Sequence, residues 1–211
     1  MSVTLAIDTS TPTGRLAVAV GETAVFAAEF GSERSHNSEV FAPLRDALSA
    51  CAGRPDRIVV GTGPGSYTGV RIGIAAGLGI SMAKGAPIAG IPSICVPAAA
   101  AHGDRFSVVG DARRGAVFLA KVANGSLELA PELHPLESLP ALDGTVLTHD
   151  PAPPVEGATV THPSATKLAT LAATMSDTEF ATLAETPPEP IYLRAPFITQ
   201  PKKPGKAVPA T

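Results

Sequence analysis

The chain has 211 residues, 45% hydrophobic and 17% charged, which is the balance of a folded protein with room for one domain or two small ones. A formal charge of −3 supplies no overall positive field for nucleic acid, and an aromatic content of 4% without tryptophan argues against a single-strand binder that stacks bases on aromatic platforms. Two cysteines, Cys51 and Cys95, are too few for a disulfide scaffold or a four-ligand zinc site, and read as reduced, buried thiols of a cytosolic protein.

In chain order, Val3–Ile7 is a short apolar run ending at Asp8 and a polar turn. Arg15–Val20 and Thr23–Phe30 follow, joined by Gly21 and Glu22, and turns this short predict antiparallel pairing. From His36 to about Ala52, the residues Val40, Phe41, Leu44, Ala47, Leu48 and Cys51 recur at helical spacing. Ser35 suits the cap of that helix, Gly53 and Pro55 its stop, and Pro43 bends it or shifts its start. Arg57–Val60 is a fourth strand, followed by a second helix over about Gly69–Gly85, a strand at Ile88–Gly90 and an Ala-rich third helix at Ser93–Ala101. Strand–helix alternation after initial hairpins predicts a mixed α/β sheet. Beyond Asp104 the pattern weakens to strands at Phe106–Val109, Ala116–Val122 and Val146–Thr148 and a helix at Ala165–Met175. From Thr186, seven prolines in 26 residues and the closing Lys202, Lys203 and Lys206 read as an extended arm or a disordered tail. No internal repeat is visible. The N-terminus has no basic region before its apolar run, which contains Asp8, so no signal peptide is expected, and no run reaches the roughly 18 apolar residues of a spanning helix. A cytoplasmic protein without membrane attachment is the expectation.

Three stretches carry chemistry. Asp8-Thr9-Ser10-Thr11, at a strand end, can hold a hydrated magnesium and cup a phosphate, or can form a turn that satisfies its own backbone. Gly63 to Gly73, GPGSYTGVRIG, places Ser66 and Thr68 at a helix start, either as an anion cradle or as a capped strand-to-helix turn. It matches neither a Walker loop, nor a nucleophile elbow, nor the dinucleotide spacing. In the helix that follows, Gly69, Gly73 and Gly77 line one face, which belongs either to a fully buried central helix or to a close contact with another chain. No histidine of the five has another four residues on, so no helical zinc pair exists. Asp111-Ala112-Arg113-Arg114 reads as solvated turn charges, and Pro190–Arg194 as a packing anchor or part of the tail.

LAIDTST, HNSEVFAPLRDAL, GPGSYTGVRIG, GIPSI, DARRGAVF and PIYLR stand in the order and spacing of the TsaB (YeaZ) family, which the chain resembles from about Val3 to Arg194. The resemblance implies an α/β actin-like (Hsp70-like) ATPase fold with a complete N-terminal half, 1–102, a reduced C-terminal half, 103–194, and a Pro/Lys-rich tail, 195–211. It implies a non-catalytic subunit of tRNA threonylcarbamoyladenosine (t6A) synthesis that supports a larger TsaD-like transferase and works with a TsaE-like ATPase, touching tRNA only through the complex. A homodimer without the partner is left open. The TsaD metal site needs His-x-x-x-His, whereas His36 is followed at the fourth residue by Val40; the second phosphate loop needs a glycine pair, whereas Asp143-Gly144 precedes Thr145. No catalytic residue, metal ligand or cofactor is therefore expected of this chain, and ATP or ADP and the divalent metal belong to the partners. Asp8, Thr9, Ser10 and Thr11 keep the look of a degenerate phosphate loop. The alternative is a small phosphotransferase or M22-type peptidase of the same fold. The resemblance also implies a subunit contact through the two helices His36–Ala52 and Gly69–Gly85, with Val40, Leu44, Leu48, Gly69, Gly73 and Gly77 as its expected residues.

Overall fold

The computed structural model describes residues 1–31, 39–101, 103–142 and 144–194. The readings made on Ser35, His36, His102, Asp143 and the tail 195–211 lie outside the described residues.

β1 (Val3–Asp8), β2 (Gly14–Val20) and β3 (Thr23–Phe30) form an antiparallel meander, because the turns between them are too short for crossovers. α1 (Phe41–Ala50) then carries the chain across to β4 (Arg57–Gly61), which lies parallel to β1. α2 (Tyr67–Lys84) carries it on to β5 (Ile88–Ile91), parallel to β4, and the sheet order is β3-β2-β1-β4-β5. Pro43 falls in the first turn of α1, where its missing N–H has no intrahelical partner to lose, so it shifts the start rather than kinking the middle.

Alternation along the strands gives the sheet one large-residue face and one small-residue face. Leu5, Ile7, Leu16, Val18, Ile58 and Val60 point to the side covered by α1 and α2. Ala6, Ala17, Ala19, Val59 and Ala89 point to the other. On that side lies α3 (Ala165–Thr174), which brings its own small residues, Ala165, Ala169 and Ala172, with Leu168 among them. Alanine against alanine lets this helix, from the far end of the chain, sit close to the sheet.

The second sheet comprises β6 (Arg105–Asp111), β7 (Ala116–Ala123), β8 (Ser126–Pro135), β9 (Val146–Thr148) and β10 (Thr159–Val160) in the order β10-β9-β6-β7-β8. β6, β7 and β8 are antiparallel, and β9 and β10 run parallel to β6. Order and directions repeat those of the first sheet, so the fold holds a topological repeat that the sequence does not show. The copy is reduced: β9 has 3 residues, β10 has 2, and a single 3-10 turn at Leu136–Ser138 stands between β8 and β9. This is the actin-like architecture, with a complete first half and a reduced second half.

The Ala-rich helix expected at Ser93–Ala101 is instead one 3-10 turn at Ser93–Cys95. Val96 precedes Pro97, which disfavours helix, and the chain is drawn out alongside 162–164: Val96 O accepts from Ser164 N at 2.8 Å and Ala98 N donates to His162 O at 2.8 Å. A further helix, α4 (Asp177–Ala184), begins at a capping box between Ser176 and Glu179. The arm from Thr186 is extended and docked through Arg194: Pro188 packs on Gly90 and Ile191 N donates to Thr62 O at 2.9 Å. Cys51 and Cys95 are free and buried, their thiols pushed up to about 11 and about 12 by desolvation, with Asp56 adding to the shift at Cys51. At those values they are not nucleophiles near neutral pH.

Candidate functional site: a cleft between two matching hairpins

The two sheets place equivalent hairpin turns across a cleft of about 950 Å³, with Ser10 and Thr11 of the β1–β2 turn on one side and Asp111 and Arg113 of the β6–β7 turn on the other. Asp8 ends β1 as Asp111 ends β6. Each aspartate uses Oδ1 to accept the backbone N–H two residues on, from Ser10 at 2.9 Å and from Arg113 at 2.7 Å. The counterpart of the first turn is therefore Asp111–Gly115 and not the neighbourhood of Asp143-Gly144. The signal was an aspartate closing a strand just before a short turn into the next.

Asp8 is 2% exposed. Its Oδ1 also accepts from Ser10 Oγ at 2.7 Å, while Oδ2 is buried with no hydrogen-bond partner and lies directly over the Cα of Gly61, where any Cβ would collide with it. Desolvation raises its pKa above the ordinary 3.8, opposed by Ser10, Ser93 and Arg15. The rest of the turn is covered by the loop that starts α2. Ser66 N donates to Ser10 O at 2.7 Å, Thr9 Oγ1 donates to Gly69 O at 2.7 Å, and side chains at Gly65 or Gly69 would run into Ser10 O and Thr9 O. Ser66 caps α2 by accepting from Gly69 N at 3.1 Å. The actin-like fold implies a nucleotide and its metal at this turn, but these residues do not fit them. The carboxylate is withdrawn from solvent and both backbone carbonyls are already covered. Among the described residues no group of three or more His, Cys, Asp or Glu side chains could hold a metal ion. No helix among them is long and apolar enough to cross a membrane.

A carboxyl whose pKa folding raises contributes its stability below the unfolded value and loses it as pH climbs through the folded value. Asp8→Asn is accordingly expected to melt several degrees above the parent at pH 7, with the gap closing toward pH 4. An Asn variant less stable at pH 7 than at pH 4, relative to the parent, would show that the ionised carboxylate is held by its neighbours.

Deeper in the cleft, His149 Nε2 is buried without a partner, and burial, with His162 and Arg15 adding to it, pushes the imidazole down to about 4, so it stays neutral. At the mouth, Arg71 lies over the Tyr67 ring at 3.9 Å and donates to Tyr192 Oη from Nε at 3.0 Å and Nη2 at 2.8 Å. Neither His149 nor this cluster was singled out from sequence.

The structure places the six residues expected at a subunit contact mostly within this chain. α1 and α2 do lie on one face of the first sheet, but Gly69, Gly73 and Gly77 look inward. A Cβ at Gly73 would press on Thr9 Oγ1 and one at Gly77 would come within 2.6 Å of Val60 Cγ1. The stripe thus admits this chain's own sheet and first turn, not another chain. Val40 and Leu44 are buried in the same core, with Leu48 partly buried beside them. The outward faces carry other residues: Phe41 of α1 is 67% exposed, Met82 of α2 is 86% exposed, and Arg71, Ala75 and Gly79 of α2 are exposed as well.

Comparison with known proteins places this geometry. The model of the family TsaD, tRNA N6-adenosine threonylcarbamoyltransferase, matches residues 31–134. An uncharacterised protein of Mycobacterium tuberculosis (strain H37Rv) is 35% identical over 141 residues, 64% of this chain and 65% of that protein. The tRNA threonylcarbamoyladenosine biosynthesis protein TsaB of Bacillus subtilis is 35% identical over 133 residues, 59% of this chain and 57% of that protein. The chain thus spans less than two thirds of the length of these relatives. Among solved structures, YeaZ from Pseudomonas aeruginosa superposes with a TM-score of 0.68 at 26% identity, covering 92% of this chain and 100% of that one. A second Pseudomonas aeruginosa structure, described as similar to the peptidase YeaZ, gives 0.70 at 25% identity over the same shares. With its paired actin-like sheets and its near end-to-end superposition on YeaZ, the chain has the TsaB/YeaZ-like fold of the glycoprotease superfamily.

Proposed function

We propose that the chain is a non-catalytic partner subunit of t6A synthesis that docks on a TsaD-like transferase through the outward faces of α1 and α2. The observation that carries the reading is the apolar surface those helices leave uncovered, with Phe41 and Met82 at 67% and 86% exposure over a sheet whose own face is already filled. Large apolar side chains left in solvent on two helices of one layer support an interface there. The first turn supports a structural role for Asp8–Thr11 rather than nucleotide turnover, since its polar atoms are satisfied internally or shut in. In this reading 1–102 and 103–194 act as two units, a TsaE-like ATPase joins the complex, nucleotide and metal are held by the partners, and the protein works in the cytoplasm. A phosphotransferase or peptidase of the same fold finds no open donor set at the first turn.

The test is titration of the purified chain with the TsaD-like paralogue. Met82→Lys is expected to weaken association by about 2 kcal/mol, roughly thirtyfold, with an unchanged circular dichroism spectrum. Undiminished affinity in Met82→Lys and in Phe41→Asp would remove α1 and α2 from the contact, and no association with the paralogue at all would end the partner reading.

A further inference from the structure

The chain has only two tyrosines, Tyr67 and Tyr192, and the fold brings both to the cleft mouth, ring centroids 5.7 Å apart and each about half exposed. Arg71 stands between them. Arg113 and Arg194 line the same cleft, tied together by Arg194 Nη2 donating to Arg113 O at 3.3 Å, and Arg114 follows on the turn. Against these four guanidinium groups stand two carboxylates. Asp111 pairs with Arg113 at 3.1 Å, and Asp150 accepts from the Asp111 N–H at 2.6 Å. Among the described residues no carboxylate comes within ion-pair distance of Arg71, Arg114 or Arg194. The cleft lining itself balances two arginines against two aspartates, so the guanidinium groups left without a carboxylate are Arg194 in the lining, Arg71 at the tyrosines and Arg114 next on the turn.

We infer that the cleft mouth is a binding surface for an unpaired RNA strand, its arginines meeting phosphates and the two tyrosines offering faces to bases. Guanidinium groups suit phosphate by their planar fork, and a tyrosine face stacks on any base, so the surface recognises a strand without demanding a sequence. Composition argued against such a surface because aromatics are so few; position overrides the count, since every tyrosine is at one place beside the unpaired arginines. An acidic protein segment would match the charge but would leave two half-exposed aromatic rings without a role. The inference rests on the t6A reading only in naming RNA as the strand.

The test is fluorescence anisotropy of the full chain, alone and with its TsaD-like paralogue, against a labelled single-stranded oligoribonucleotide of mixed sequence over a range of salt. A log–log salt slope of about −2 is expected, as phosphate contacts from Arg71, Arg114 and Arg194 would give, and Arg114→Ala and Arg194→Ala should each lower its magnitude by about 0.7. Tyr67→Leu should weaken binding about tenfold at every salt concentration. All three positions are exposed, and thermal melting checks that each variant is folded. Absence of binding by the chain and by the complex, or a slope that the arginine substitutions leave unchanged, overturns the inference. So does a flat RNA titration accompanied by lost association with the paralogue, which would assign the surface to a protein. Strand binding that depends on these residues in a chain that does not associate with the paralogue would uphold this inference while ending the partner reading.

Discussion

Gly73→Leu is expected to cost about 3 kcal/mol of folding stability and to behave as a core variant, not an interface variant. The side chain would be driven into Thr9 Oγ1 and, behind it, Ile7 Cγ2, which lies 3.5 Å from where a Cβ would stand. Thr9 cannot easily yield, because it is fully buried and its hydroxyl is bonded to Gly69 O. Gly79 is the control within the same helix. A Cβ there meets nothing within 4 Å, so Gly79→Ala should gain about 0.5–1 kcal/mol from helix propensity alone. Urea unfolding followed by circular dichroism separates the two. A Gly73→Leu variant with parental stability would mean that α2 can lift from the sheet.

Arg57→Met is the second large loss, again about 3 kcal/mol. Arg57 opens β4 and is 6% exposed, yet its guanidinium makes three hydrogen bonds. Nη1 donates to Ala172 O at 2.9 Å and Met175 O at 2.8 Å, at the end of α3 where carbonyls lack intrahelical partners. Nη2 pairs with Asp177, and the group lies 5.0 Å from the centre of the Phe180 ring. Methionine fills the space but leaves two inward carbonyls without a donor. Asp177 is the contrasting position, because its carboxylate is 99% exposed, and Asp177→Asn should cost less than about 1 kcal/mol. Equal losses in the two variants would show that the ion pair, not the carbonyl cap, is what matters.

Most of the first half of the chain is legible because its signals are local: short turns force hairpins, helices between strands force parallel pairing, and five strands and two of the three expected helices follow, the Ala-rich run at Ser93–Ala101 being the exception. The glycine stripe shows the limit. Its spacing gives the face of α2 that admits a close neighbour, but not which neighbour, and the answer lay in the alternation Leu5-Ala6-Ile7 and Leu16-Ala17-Val18-Ala19, which sorts the sheet into its two faces. The second half is fainter because its strands are short and its turns hide familiar signals. Asn124-Gly125, both with positive φ (52° and 71°), is a hairpin turn signal that announces β8, but Pro131 disguises that strand, which its outermost place in the sheet allows. Ser176 and Glu179 spell the start of α4 plainly. The cleft was the least legible, since its matching turns are related by topology and share only an aspartate.

The alanine-lined face has a consequence for synthesis on the ribosome. The first sheet has all its strands by Ile91, but the helix that covers this face begins only at Ala165, and Arg57 waits until Ala172 and Met175 for its acceptors. A nascent chain halted between those points holds every strand of the first sheet and nothing to cover its alanine face. The change of sheet near residue 102 divides the architecture without dividing the act of folding, which closes when the C-terminal helices return to strands made long before.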